Sequence, residues 1–173
     1  MNTLINNTLY YYYYLYDYVW NIDKANVIVE NLYLGDGLAS NDIEFLVDDT
    51  ISYVINLSNM VFSDEQEALK NLNIKIKNVM VRDHPDDEEL LLSHIPELVK
   101  DIQHYLDKNK KVLVNCYAGR QRSAAVVACY LMKAGKGKTD VDSCIKFIQL
   151  KRPVAFTPKP NFYNAILKYS LIV

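Results

Sequence analysis

The chain has 173 residues, of which half are hydrophobic and 23% are charged, and this suits one domain with its own core plus a short extension. A formal net charge of -2 provides no overall basic field, which argues against general nucleic-acid binding. Three cysteines without close spacing, and three histidines that pair with none of them, argue against a disulfide framework and against a bound metal.

Residues 1–24 differ from the rest of the chain in composition. They hold seven of the 14 tyrosines, including the unbroken run from Tyr10 to Tyr14, and the tryptophan Trp20. Tyrosine buries a large ring while keeping a polar tip, which suits an interface. The segment is therefore predicted either to dock on a second copy, giving a homodimer, or to pack on its own domain.

The sequence also bears on location. No stretch reaches the length of about 18 apolar residues that a membrane span requires. No Lys or Arg precedes Lys24, so a charged signal or transit peptide is not expected. A soluble, intracellular and cytoplasmic protein is expected, and a nuclear location is compatible with the same features.

Residues 25–173 alternate between apolar runs of strand length and stretches of helical periodicity. In chain order the predicted elements are strand Val27–Leu34, helix Asn41–Asp49 capped by Ser40 or Asn41, strand Ile51–Leu57, helix Asp64–Leu72 capped by Ser63, strand Ile74–Val81, helix Ser93–Leu106, strand Lys111–Asn115, helix Ser123–Lys133, a helix from Thr139 to Leu150 capped by Thr139, and helix Asn161–Ser170. This alternation predicts an α/β domain with a central sheet flanked by helices.

The most informative stretch joins the strand Lys111–Asn115 to the next helix. A loop between a strand end and a helix N-terminus directs backbone N–H groups at one point and makes an anion site. Gly119 permits a close bend, and Arg122 offers a planar fork that matches two phosphate oxygens. The same positive field predicts a Cys116 pKa below the usual value of about 8.5, with a hydrogen bond from Ser123 to the thiolate. The predicted phosphate-binding loop consists of Tyr117, Ala118, Gly119, Arg120, Gln121 and Arg122.

This loop resembles the signature of the protein tyrosine phosphatase superfamily, in its small dual-specificity branch. Three further segments resemble that branch in the same order: Asn31–Gly35, Ile51–Asn56, and the tail around Arg152-Pro153 and Asn161-Phe162. The resemblance implies a three-layer protein tyrosine phosphatase-like fold with a central mixed sheet. It also implies an enzyme that hydrolyses phosphotyrosine and phosphoserine or phosphothreonine in proteins through a phosphocysteine at Cys116, without a cofactor or a metal.

The resemblance further implies an aspartate that protonates the leaving oxygen, from a loop roughly 30 residues before the cysteine. Asp83 lies 33 residues before Cys116 and is the predicted acid. Asp86 and Asp87 are rivals, because the acidic loop Arg82–Glu89 holds all three aspartates. His84 is interpreted as a loop residue.

Two positions depart from the family pattern. Asn115 stands where the family usually has histidine. An amide can hold the loop by hydrogen bonds but lends no positive charge, so we expect a less acidic thiol and a slower enzyme or a shifted pH optimum. Arg120 resembles the basic residue of phosphatases that act on inositol lipids and phosphatidylglycerophosphate, although an arginine facing solvent is the favoured interpretation.

Two alternative functions remain open from these residues. Arg120 indicates a phosphatase of a lipid or an RNA 5′-phosphate, and Asn115 indicates a catalytically weak pseudophosphatase that only binds phosphorylated partners. Cys129 and Cys144 lie within apolar helical patterns and are predicted to be core residues.

Overall fold

The computed structural model describes residues 23–58, 69, 71–135 and 140–173. The tyrosine-rich segment before residue 23 and most of the predicted helix Asp64–Leu72 lie outside these ranges. The loop from Cys116 to Ser123 and the contacts described below lie within them.

The described strands form one five-stranded sheet with the order β1-β2-β5-β3-β4. The strands are β1 (Ala25–Val29), β2 (Leu32–Gly35), β3 (Ile51–Asn56), β4 (Lys75–Asn78) and β5 (Lys111–Asn115). Only the β1–β2 pair is antiparallel, and the pairs β2–β5, β5–β3 and β3–β4 are parallel. The carboxyl ends of β2, β5, β3 and β4 therefore meet at one edge of the sheet, which is where ligand sites form in such folds.

Helices cover both faces of this sheet. The α-helices whose bounds lie within the described residues are α1 (Ile43–Asp48), α2 (Glu88–Leu106), α3 (Arg122–Lys133), α4 (Val141–Lys151) and α5 (Tyr163–Ser170). Successive strand residues point to opposite faces, so Val112 and Val114 belong to the larger apolar cluster while Leu113 belongs to the smaller one. The larger cluster packs against α2 to α5 and the smaller one against α1. A sheet covered on both faces explains why its inner strands are almost continuously apolar.

The first predicted strand was wrong, because Val27–Leu34 is not one strand. It divides into β1 and β2, which pair as a hairpin through Glu30 and Asn31. Asn31 adopts φ +64°, a left-handed conformation that asparagine tolerates better than most side chains. The turn was hidden in the sequence because its two residues interrupt the apolar alternation only briefly.

Three predicted helix boundaries also needed correction. The side chain of Asp42, rather than that of Ser40 or Asn41, caps α1 by accepting a hydrogen bond from Phe45 N at 2.9 Å. Asp140, rather than Thr139, caps α4 by accepting from Ser143 N at 2.8 Å. Helix α2 begins at Glu88, before the predicted Ser93. The acidic side chains of its first turn are stabilised there by the positive end of the helix dipole.

Candidate active site

The loop between β5 and α3 packs against the turn that follows β2. Cys116 N donates to Gly35 O at 3.4 Å, and Gly37 N donates to Tyr117 O at 3.1 Å. Gly119 has φ +62°, and a Cβ built there would lie 2.6 Å from Gly35 O. The third loop position therefore requires glycine both for its conformation and for its close contact with neighbouring backbone.

Arg152 fixes this loop from within the core, where its side chain is fully buried. Its Nε donates to Gly119 O at 2.9 Å, and its Nη2 donates to Ala118 O at 3.5 Å. The other end of the guanidinium, Nη1, donates to Asp23 O at 2.8 Å and to Asn26 Oδ1 at 2.7 Å. One buried fork thus joins the middle of the loop to the start of β1.

Gln121, the last residue before α3, joins the loop to the segment ahead of α5. Its Nε2 donates to Thr157 O and to Lys159 O, both at 2.9 Å, and its Oε1 accepts from Asn161 N at 3.0 Å. Tyr117 and Ala118 are half-buried, whereas Gln121 is almost fully buried. Gln121 therefore connects the loop to the segment ahead of α5 and does not face solvent.

Arg120 does not face solvent, so that interpretation of the sequence was wrong. Its exposed fraction is 7%, and its Nη1 donates to Thr157 Oγ1 at 3.1 Å. Its backbone carbonyl accepts from Phe156 N at 2.7 Å. The side chain thus lies against the segment 156–157.

Cys116 and Ser123 come together at the floor of the loop. Ser123 Oγ lies 3.1 Å from Cys116 Sγ, and both residues are buried. Burial of the thiol opposes its ionisation, but the charge of Arg122 and the hydrogen bonds from Ser123 outweigh burial, so the pKa of Cys116 lies below its ordinary value. The arrangement favours a thiolate nucleophile, in the direction that the sequence predicts.

Arg122 is held at one end of its guanidinium. Its Nη1 donates to Leu57 O at 2.6 Å and to Val81 O at 3.0 Å, the carbonyls that follow β3 and β4. Within the described residues its buried Nε has no hydrogen-bond partner. An arginine fixed at Nη1, with a further N–H group that makes no hydrogen bond, can offer that group to an oxyanion.

Asp83 is the member of the acidic loop that approaches Arg122. Its Oδ2 lies 3.9 Å from Arg122 Nε, and its Oδ1 accepts from Asn161 Nδ2 at 2.9 Å. Asp87 instead binds Arg82, which donates from Nε at 2.9 Å and from its backbone N at 2.8 Å, and these hydrogen bonds lower the pKa of Asp87. The side chain of Asp86 is 73% exposed. Of the three sequence candidates, Asp83 is the one whose carboxylate lies beside Arg122.

Asn115 belongs to a row of three asparagines at the carboxyl ends of adjacent parallel strands. Asn115 on β5 pairs in register with Asn56 on β3, which pairs in register with Asn78 on β4. Asn115 Nδ2 donates to Asn56 Oδ1 at 3.1 Å and to Ser40 Oγ at 3.0 Å, and Asn56 Nδ2 donates to Asn78 Oδ1 at 2.9 Å. Stacked amides in register thus hold the strand end that carries Cys116. The expectation that an amide can hold the loop agrees with this geometry.

Several of these contacting residues carry little functional signal in the sequence. Arg152 and Asn161 stand out only as parts of the tail that resembles the family, and the carbonyls of Leu57 and Val81 leave no sequence signal at all. Cys129 and Cys144 are fully buried, as predicted for core residues. In the part of the chain that the structure describes, no three or more His, Cys, Asp or Glu side chains are grouped to hold a metal ion, and no helix has the length and apolarity of a membrane span.

Comparison with known proteins identifies the family. The model of the dual specificity phosphatase catalytic domain matches residues 32–171. The chain belongs to this family. AMV078 of Amsacta moorei entomopoxvirus, which bears a tyrosine-protein phosphatase name, is 30% identical over 165 residues that cover 88% of this chain and 92% of that one. The crystal structure of human DUSP28 superposes with a TM-score of 0.73 and 25% identity, over 87% of this chain and 95% of that one.

The chain spans only part of the length of several larger relatives. The human protein phosphatase Slingshot homolog 3 is 26% identical over 151 residues, which are 87% of this chain but 21% of the human protein. Membership of the family makes this chain a cysteine-dependent protein phosphatase, a phosphoric monoester hydrolase. The three-layer fold implied by the sequence resemblance is confirmed. The names of the relatives favour a protein substrate over the lipid, RNA and pseudophosphatase alternatives.

Proposed function

We propose that this phosphatase hydrolyses phosphotyrosine and phosphoserine or phosphothreonine in proteins through a phosphocysteine at Cys116. The observation that most directly supports this mechanism is the buried pair of Cys116 and Ser123, 3.1 Å apart at the N-terminus of α3. The lowered pKa of Cys116 favours the thiolate that attacks phosphorus.

In the first step the Cys116 sulfur forms a bond to phosphorus while the bond from phosphorus to the leaving oxygen breaks. Asp83 gives its proton to that oxygen, so that the substrate departs as a neutral hydroxyl group. Arg122 Nε and the N–H groups of the loop stabilise the phosphoryl oxygens throughout. The Gln121 and Arg152 contacts keep those loop groups in place before the substrate arrives.

In the second step water gives a proton to the Asp83 carboxylate and attacks phosphorus. The bond from phosphorus to sulfur breaks, and the electron pair returns to Cys116 as a thiolate. Ser123 stabilises this leaving thiolate by donating its hydroxyl hydrogen. Inorganic phosphate is then released and the enzyme returns to its starting state.

The test measures phosphate release from a phosphotyrosine peptide, a phosphothreonine peptide and para-nitrophenyl phosphate. Cys116→Ser is expected to abolish turnover, and Asp83→Asn is expected to lower kcat for the peptides by about 100-fold or more. Asp86→Asn is the matched control, since it changes an exposed aspartate of the same loop, and it is expected to leave turnover unchanged. A loss in Asp86→Asn that equals or exceeds that in Asp83→Asn would refute the assignment of the acid.

The tyrosine-rich segment lies outside the described residues, and we propose it as a homodimerisation segment on its composition. Tyr10–Tyr14 and Trp20 supply aromatic area of the kind that protein interfaces favour. Light scattering should then give a dimer mass for the full chain and a monomer mass for a truncated chain that starts at Ala25. A monomer mass for both would end this proposal.

We propose a cytoplasmic location for a chemical reason. The mechanism needs Cys116 as a reduced thiolate, and reducing compartments maintain that state. All three cysteines are free thiols in the structure. Cell fractionation that recovers the protein only from an oxidising compartment would contradict this location.

A further inference from the structure

We infer that Asn161 is a positioning residue that holds Asp83 toward Arg122 and determines which carboxyl oxygen of Asp83 carries the proton. The inference rests on the proposed function, in which Asp83 is the acid. It adds a residue from the far end of the chain to the catalytic arrangement of the acidic loop.

The contact joins two segments that are far apart in the chain. Asn161 Nδ2 donates to Asp83 Oδ1 at 2.9 Å, across 78 residues. The Asp83 side chain is 36% exposed, so without a partner it would keep most of its rotational freedom. One hydrogen bond at Oδ1 restricts that freedom and leaves Oδ2 as the oxygen that lies 3.9 Å from Arg122 Nε.

The hydrogen bond also distinguishes the two oxygens chemically. An amide N–H can only donate, so the oxygen that it contacts has to accept and is a poor place for the acidic proton. The proton is therefore held at Asp83 Oδ2. The distance of 3.9 Å from Oδ2 to Arg122 Nε exceeds hydrogen-bond length, so a proton on Oδ2 remains available to a leaving oxygen.

Asn161 is itself fixed by the phosphate loop. Its backbone N donates to Gln121 Oε1 at 3.0 Å, while Gln121 Nε2 donates to the carbonyls of Thr157 and Lys159. Gln121, Asn161 and Asp83 thus form a continuous series of contacts from the loop that binds phosphate to the group that protonates the leaving oxygen. Because the contact to Gln121 uses the backbone of Asn161, removing the Asn161 side chain breaks, among the hydrogen bonds of the described residues, only the one to Asp83.

The experiment compares kcat/KM for two aryl phosphates. The leaving phenol of phenyl phosphate has a pKa of about 10, like tyrosine, whereas that of para-nitrophenyl phosphate is about 7 and needs the acid less. Asn161→Ala is expected to lower kcat/KM about tenfold for phenyl phosphate and about twofold or less for para-nitrophenyl phosphate. Asn161→Asp is expected to lower kcat/KM for phenyl phosphate further than Asn161→Ala does, because a carboxylate at this position cannot donate to Asp83 and repels it.

The matched control is Asn164→Ala. Asn164 Nδ2 also contacts a carboxylate, Glu88 Oε2 at 3.4 Å. Its replacement by alanine is expected to leave kcat/KM unchanged for both substrates. Inhibition by inorganic phosphate should be unchanged in Asn161→Ala, because the phosphate loop keeps its contacts. In an Asp83→Asn background, Asn161→Ala should cause no further loss, since it acts through Asp83.

Three results would overturn the inference. Equal losses for the two aryl phosphates in Asn161→Ala would indicate a general structural defect. A full additional loss in the Asp83→Asn background would show that Asn161 does not act through Asp83. If Asp83→Asn itself showed no greater loss with phenyl phosphate than with para-nitrophenyl phosphate, the acid assignment would fail and the inference with it. This third result therefore distinguishes a failure of the proposed function from a failure of the inference about Asn161 alone.

Discussion

Replacing Gly119 by alanine tests how tightly the phosphate loop is built. The new Cβ would lie 2.6 Å from both Gly35 O and Arg152 Nη2, while ordinary contacts begin at 3.4 Å. The phosphate loop, or the turn that contains Gly35, therefore has to move by roughly 0.8 Å. The alanine would also carry about 1–2 kcal/mol of backbone strain, because an L-residue disfavours φ +62°. A displacement of that size at a reacting group costs on the order of 100-fold in rate. We expect kcat/KM for para-nitrophenyl phosphate to fall by about that factor.

Gly135→Ala is the control for the strain alone. Gly135 has φ +60°, but a Cβ there meets nothing within 4 Å. Gly135→Ala should lower the free energy of unfolding by about 1–2 kcal/mol, measured by urea titration, and keep full turnover. Equal turnover in the two variants would refute the claim that close contact with Gly35 and Arg152 holds the loop in its active shape.

Three further substitutions test the contacts around the nucleophile. Ser123→Ala removes a hydrogen bond that lowers the pKa of Cys116, so the pH of half-maximal alkylation by iodoacetamide should rise. Phosphocysteine should also accumulate in rapid-quench experiments. An unchanged alkylation profile would contradict this role of Ser123. Arg152→Met leaves the buried carbonyl of Gly119 and the part-buried carbonyl of Asp23 without their donor. It should lower the free energy of unfolding by about 3 kcal/mol in urea titration, together with turnover. Asn115→Leu removes two buried hydrogen bonds and should lower both the free energy of unfolding, by about 2 kcal/mol, and kcat/KM. Full turnover would mean that the asparagine row supports stability alone.

The sequence predicted well those features that local residues determine. The predicted strand Lys111–Asn115 has the same bounds as β5, because its apolar run ends at a polar residue and a cysteine. Helix α3 begins one residue before the predicted Ser123, where the loop motif ends. The motif lies between those two elements, so the phosphate loop was predictable as a unit.

Contacts between distant segments were beyond sequence reasoning. Arg152 meets Gly119 across 33 residues, and Asn161 meets Asp83 across 78. No periodicity or spacing encodes such pairs, because they depend on the strand order β2-β5-β3-β4 that brings separate loops to one edge. The asparagine row depends in the same way on strand register, which a single chain does not specify in its sequence pattern.

The asparagine before the nucleophile shows how that register bears on the chemistry. Asn115 carries no charge, yet the pKa of Cys116 is lowered, because Arg122 and Ser123 outweigh the burial of the thiol. Asn115 contributes position: its side chain ties β5 to β3, and Leu57 N donates to Asn115 O at 2.8 Å. The same Leu57 accepts from Arg122 Nη1 through its carbonyl. Leu57 thus connects the residue that places the nucleophile with the residue that supplies its positive field, so a change at Asn115 should alter the binding of phosphate as well as the thiol.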